Sequence, residues 1–233
     1  MRYNRLVELN DITDPNTFFD CLCSLGQEMG FEYTGFNTIQ HRLGGGRTVV
    51  FRNNPPAGFA EAAREPDDSR RDPVMTKLYA STLPVIYDQA TYVQAGCADL
   101  WEEQAVYGYR TGIAASITAP GGKHIMLGFD RRERLPTNDH ALGRLIADLQ
   151  LLAVHTLEPG MRLMIPSSTE PTLTDKQLEV LRWIALGKTD WETSAIMGIS
   201  QRAVRAHLSA IYPKLDVGSK AQAVSRAAGL GLL

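Results

Sequence analysis

Gln201, Arg202, Arg205 and Ser209 fall along one side of a helical repeat, and Val204, Leu208, Ile211 and Leu215 along the other. The apolar set is spaced 4, 3 and 4 residues apart, the signature of one buried stripe. The polar side is equipped for contact with a polyanion. The planar fork of arginine pairs with guanine O6 and N7 or clamps a phosphate. The major groove, about 12 Å wide, admits one helix. A short helix and a tight Gly198-Ile199-Ser200 turn precede this segment, the arrangement that sets a reading helix into that groove. The same pattern also suits a small helical bundle whose arginines are merely solvated.

Other chemistry is poorly supported. His41, His124, His140, His155 and His207 stand far apart, with no H-x-x-x-H or H-E-x-x-H. Ser116 has no G-x-S-x-G context. Gly44-Gly45-Gly46 lacks the G-K-[ST] of a phosphate loop. Residues 1–160 do not supply the acidic cluster, central aspartate and later lysine of a phosphorylated receiver. The reading is a non-enzyme with no metal and no resident cofactor.

The elements that must carry these residues divide into two groups. The chain has 233 residues, room for one large or two modest domains. Its 44% hydrophobic and 21% charged content disfavours a disordered or fibrous chain. Residues 171–233 hold 8 Lys+Arg against 5 Asp+Glu, a net +3, while the rest carries −5. That asymmetry hints at a polyanion partner for the C-terminal part alone, though a net +3 is common by chance. Cys21, Cys23 and Cys97 form no disulfide or zinc framework, which fits reduced thiols in the cytosol. The N-terminus lacks a signal-peptide stretch and no apolar run reaches 18 residues, so no membrane association is expected.

Pro159-Gly160 and the run from Ile165 to Thr172 predict a linker, giving domains at 1–160 and 172–233 with 161–171 between them. In the first, Asp14-Pro15 opens a helix. Glu32 to Gln40 and Arg47 to Arg52 read as strands around the Gly44–Gly46 turn. Residues 57–81 read as helix in two pieces, with Asp72-Pro73 a common helix entry, and Ala98 to Tyr107 as a short helix. Gly112 to Ala119 and Lys123 to Phe129 form a hairpin, and Asn138 to Leu157 a long amphipathic helix. The second domain reads as four helices capped by Thr174, Thr189 or Asp190, Ser200 and Ser219. Pro213 predicts a bend or an early end to the third. The expected class is α+β: an α/β/α sandwich followed by a four-helix helix-turn-helix domain.

Leu173-Thr174, Glu179-Val180-Leu181, Gly187-Lys188-Thr189, Ile199-Ser200, Val204 to Leu208, Lys214-Leu215 and the Gly229-Leu230 ending together resemble the LuxR-type helix-turn-helix. The resemblance implies base contacts at Arg205 and Ser209, beside Arg202 on the same face, and phosphate contacts near Thr189, Ser200, Gln201, Lys214 and Lys220. It also implies a homodimer on a palindromic operator in double-stranded DNA. Gln177, Thr193-Ser194 and Ala203 depart from the family pattern, and Gln177, Thr193-Ser194 and Pro213 keep open a member that acts through inactive heterodimers.

Phe31 with Tyr33 to Phe36, Asp72-Pro73-Val74, Pro84 to Tyr87, Trp101 to Ala105, Gly108, Gly112-Ile113 and Gly121-Gly122 resemble the autoinducer-binding domain of the same family. Ile39-Gln40-His41-Arg42 is most similar to its TraR-like branch. The resemblance implies an acyl-homoserine lactone enclosed between sheet and helices, with Asp72 accepting its amide N–H. The pocket wall it implies is Phe36, Phe59, Tyr79, Tyr87, Trp101 and Ile113, with Tyr87 or a hydroxyl from Thr34, Thr38 or Ser116 as a substitute donor. Phe59, Ala63 and Pro55 stand where the family places donor aromatics, and Tyr87 at its second tryptophan. Losing two buried donors weakens lactone binding by roughly 10²–10⁴ unless compensated. A different small molecule, or none, is the alternative.

Overall fold

A computed structural model of the chain describes residues 3–41, 47–59, 71–119, 122–165 and 172–233. The expected Gly44–Gly46 turn, the first helical piece within 57–81, Ala63 and most of the linker lie outside them. The chain divides into two compact units, the second made up mainly of residues 167–233.

In the first unit, five strands among the described residues form one sheet: β1 (Tyr33–His41), β2 (Arg47–Asn53), β3 (Val85–Tyr87), β4 (Thr111–Ala119) and β5 (Lys123–Arg131), in the order β2-β1-β5-β4-β3. β1 runs antiparallel to β5, with Phe36 opposite Leu127. β3 runs antiparallel to β4, with Tyr87 opposite Gly112. Side chains alternate between the two sheet faces, and both faces are covered. Against one pack α1 (Tyr3–Glu8), α2 (Pro15–Glu28) and α6 (Asp139–Met164). Their core joins Leu6, Phe18, Leu22 and Leu25 to Phe36, Ile113, Ile125, Leu127, Phe129, Leu149 and Leu152. Against the other lie α3 (Pro73–Ala80), α4 (Gln89–Gln94) and α5 (Ala98–Ala105). Their core holds Val74, Leu78, Tyr92 and Leu100 with Ile39, Ala114 and Met126. This is the expected sandwich.

One boundary differs. The long helix does not stop at Leu157 but runs through Pro159 to Met164. An interior proline removes one backbone bond, yet Met161 and Met164 stay buried in the core and hold the last turns in place. Gly160 allows the approach: a Cβ there would meet the Phe36 ring at 2.5 Å.

The second unit is four helices, α7 (Asp175–Ala185), α8 (Asp190–Met197), α9 (Gln201–Leu215) and α10 (Lys220–Gly229). Thr174, Thr189, Ser200 and Ser219 cap them, each side chain accepting a backbone N–H of its first turn. Val204, Leu208, Ile211 and Leu215 meet Leu173, Val180, Leu181, Ala223 and Ala227 in one core. Pro213 does not end α9, which continues to Leu215 and closes on Asp216 at φ 53. So late in the helix, proline forfeits a single bond, and the buried Leu215 fastens the turn beyond it.

Candidate functional site

Between the sheet and α3 to α5 lies a cavity of ≈ 220 Å³. That is below the usual range for ligand pockets, about 300–1,000 Å³. Phe51, Phe59, Val74, Met75, Leu78 and Met126 line it with apolar surface, and Tyr87, Tyr92 and Tyr109 add aromatic faces. Its other polar residues are Asp72, Asp130, Thr34, Asn37, Asn53 and Gln104. No lysine, arginine or histidine lines it among the described residues.

The two carboxylates reach the cavity by different routes. Asp72 is the N-cap of α3 and accepts the N–H groups of Val74 (2.7 Å) and Met75 (3.4 Å) through Oδ1. The Tyr92 hydroxyl donates to the same oxygen at 3.5 Å. Asp130 sits near the end of β5, on the face opposite Phe129. Among the described residues its carboxyl accepts one hydrogen bond, from the Tyr87 hydroxyl at 2.7 Å. Burial pushes the Asp130 carboxyl up to about 7; the Tyr87 bond opposes this and the Asp72 charge adds to it. Burial raises Asp72 too, against its backbone and Tyr92 hydrogen bonds. Burial and then the Asp130 charge push the Tyr87 phenol well above its ordinary value. The hydroxyl protons of Tyr87 and Tyr92 are therefore committed to carboxylates, which leaves this end of the cavity rich in acceptors.

In the second unit, Arg202, Arg205 and Ser209 are exposed on α9 while Val204, Leu208 and Ile211 are buried beneath them. Thr189 and Ser200 are exposed at the N-termini of α8 and α9, where unpaired N–H groups and the helix dipole favour anions. Gln201 is half-buried. Asp190 gathers two of the cations: Arg205 Nε lies 3.3 Å from its Oδ2, and Lys220 donates to its Oδ1. Those two bonds, Lys220 foremost, hold the Asp190 carboxyl below its usual range. Lys214 folds back onto its own unit, with Nζ at 2.9 Å from both the Thr172 carbonyl and Gln177 Oε1. Gln177 also forms a reciprocal capping box with Thr174. The buried Thr193 hydroxyl has no partner among the described residues.

Two matches agree with this architecture. The autoinducer binding domain matches residues 14–158, and the luxR family of bacterial regulatory proteins matches residues 171–227. The chain belongs to the LuxR family. It is 25% identical to the transcriptional activator AhyR of Aeromonas hydrophila over 245 residues, covering 100% of this chain and 94% of that protein. To the regulatory protein SdiA of Escherichia coli strain K12 it is 28% identical over 190 residues, covering 79% and 77%. In fold it is similar to SdiA in complex with octanoyl-rac-glycerol, with a TM-score of 0.78, 23% identity, and coverage of 98% and 93%. CepR2 from Burkholderia cenocepacia, an N-acylhomoserine lactone dependent LuxR-family factor, gives a TM-score of 0.58 at 18% identity over 70% of this chain and 95% of that one. The protein is thus a LuxR-family transcriptional regulator, with an autoinducer-binding and a DNA-binding domain.

Of the eight pocket residues expected for this LuxR-family regulator, the structure brings Phe59, Asp72 and Tyr87 together on the cavity wall. Asp72 is the helix cap of one sequence reading and also lies on the cavity wall. Phe36 and Ile113 lie in the core of the opposite sheet face, because strand alternation turns them away from the cavity. Thr38 points to that face as well, toward Gly160. Ser116 is buried, its hydroxyl within bonding distance of the Leu78 (2.8 Å) and Ser81 (2.9 Å) carbonyls, where it ties down the end of α3. Trp101 donates its Nε1 proton to the Arg110 carbonyl at 2.9 Å and is absent from the wall. Tyr79 is exposed, with its ring edge-on to His124. Asp130, Tyr92 and Tyr109 were not singled out from sequence. Alternation in β5 was the available signal: Ile125, Leu127 and Phe129 share one face, so Met126 and Asp130 must share the other.

Gly112 makes this geometry possible. A Cβ there would stand 2.3 Å from the Tyr87 ring and its oxygen, and 2.7 Å from the Phe129 carbonyl. Gly112→Ala is expected to push Tyr87 off Asp130 and to destabilise the protein by about 1–3 kcal/mol. Urea unfolding checks this; wild-type stability would mean that the ring is not packed against this position.

Proposed function

We propose that a small molecule enclosed in the sandwich cavity controls the DNA-binding competence of the helix-turn-helix, and that the regulator works in the cytoplasm as a homodimer on a palindromic operator. The observation that carries the sensing half is a partly open, aromatic-lined cavity holding two carboxylates with no cationic partner among the described residues. A buried charge left in that condition is costly, and a bound molecule able to satisfy it stabilises the folded state that holds it. A ligand shifts the population of a DNA-competent state by its difference in affinity between states. Phe59, Asp72 and Tyr87 are the ligand contacts supported by both sequence and placement.

For the DNA half, Arg202, Arg205 and Ser209 face outward where base edges would lie, with Thr189, Ser200 and Gln201 toward phosphates. Lys214 and Lys220 already have protein partners and would reach phosphate only by exchanging them. Two copies set their reading helices about one helical turn apart on a two-fold symmetric site. Native mass spectrometry of the full chain, exposed to acyl-homoserine lactones and to small-molecule extracts, is expected to reveal a retained small molecule. DNA-binding anisotropy on a selected palindrome should respond to that molecule. DNA affinity that is unaffected at full occupancy would overturn the switch.

A further inference from the structure

Asp130 is an acidic group that neither the fold nor the helix-capping scheme requires. Asp72 has a structural task at the start of α3. Asp130 caps nothing, and among the described residues it pairs with no cation and accepts only the Tyr87 proton. Removing a carboxylate from water costs several kcal/mol unless an opposite charge or several donors compensate. A second carboxylate in the same cavity makes that cost larger, since like charges close together resist joint ionisation.

The rest of the wall indicates what would compensate. Tyr87, Tyr92, Tyr109, Phe51 and Phe59 offer ring faces around the acidic end, and a ring face attracts a cation through its quadrupole. At the acidic end two tyrosine hydroxyls are spent on Asp72 and Asp130, and the wall carries no lysine, arginine or histidine among the described residues; its other side-chain donors are the amides of Asn37, Asn53 and Gln104 and the Tyr109 hydroxyl. Carbonyl oxygens of a lactone head would face carboxylate oxygens. The small cavity also disfavours a long acyl chain.

We propose that the cavity takes a compact cationic small molecule, a protonated primary amine on an apolar or aromatic body, with its ammonium seated between Asp130 and Asp72. The ammonium offers three donors to two acceptor-only groups, and Phe59, Met75, Leu78 and Met126 enclose the body. This specifies the ligand class of the sensor proposed above and rests on that reading.

The test uses the full chain above neutral pH and matched probes: hexylamine and phenethylamine, the alcohols of the same carbon skeletons, and N-hexanoyl-homoserine lactone. Calorimetry and thermal shift should give at least one amine bound about tenfold or more tighter than its alcohol and than the lactone. Asp130→Asn should erase that preference, and Asp72→Asn, which retains a helix-capping side chain, should reduce it. Equal binding of amine and alcohol overturns the proposal, as does an amine preference that survives Asp130→Asn. Binding of the lactone alone overturns the ligand class while leaving the small-molecule sensor intact. If no probe binds, the class is overturned; if in addition no extract component is retained, the sensor reading fails with it.

Discussion

Asp130→Asn is expected to gain stability over the wild type as pH rises from about 4, with the full gain above neutral pH and only about a third of it at pH 5. The carboxyl titrates at about 7 in the folded protein, against about 3.9 when unfolded. Between those values the native state holds a proton that the unfolded state has released. Stability is therefore full below the unfolded value and is lost as pH rises through the folded one. The loss amounts to about 4 kcal/mol once both states are ionised. Asparagine keeps an oxygen for the Tyr87 hydroxyl and carries no charge to bury, so the variant escapes the loss. The raised Asp72 carboxyl works in the same direction and leaves some pH dependence in the variant. Denaturant unfolding of both proteins at about pH 5 and about pH 8 reads the difference. Parallel pH profiles would show that the partly buried Asp130 carboxyl does not carry this titration. A bound cation should reproduce the effect of the substitution, because it removes the same penalty.

Arg205→Ala is expected to cost about 1–3 kcal/mol at the cognate operator and to relax preference at one base-pair position in each half-site. The wild-type guanidinium lies against Asp190, so DNA must share or displace that carboxylate. The exposed ion pair itself contributes little to folding, and the variant should melt as the wild type does. Binding to selected and scrambled palindromes at fixed salt separates the outcomes. Equal weakening on both would mark a phosphate contact, and unchanged binding on both would remove Arg205 from the interface.

The reading helix was legible because helical periodicity alone sorts its residues. Spacings of 4, 3 and 4 put Val204, Leu208, Ile211 and Leu215 inside, and geometry then leaves Arg202, Arg205 and Ser209 outside. Its caps were legible for a similar reason, since Thr174, Ser200 and Ser219 act on N–H groups two or three residues away. The cavity was only partly legible. Phe36 and Ile113 belong to the right strands but the wrong face. Alternation divides a strand's residues into two sets without saying which set meets a void, and here both faces are covered by helices. Ser116 and Trp101 appear as free polar groups in sequence, yet both spend their protons on carbonyls brought near by folding. Periodicity ends the long helix at Leu157, ahead of Pro159, whereas its last turns are retained by burial rather than by local propensity.

Local order along the chain decided the two-part plan, the helix caps and the outward face of the DNA reader, because the interactions that set them span a few residues. Tertiary structure alone decided that Asp130 of β5 and Asp72 of α3, 58 residues apart in the chain, would share one cavity. It also decided that Tyr87 would lie across Gly112 to reach Asp130. The reason is desolvation: the meaning of a carboxylate depends on what surrounds it, and its surroundings are assembled from strands and helices that are not neighbours in sequence.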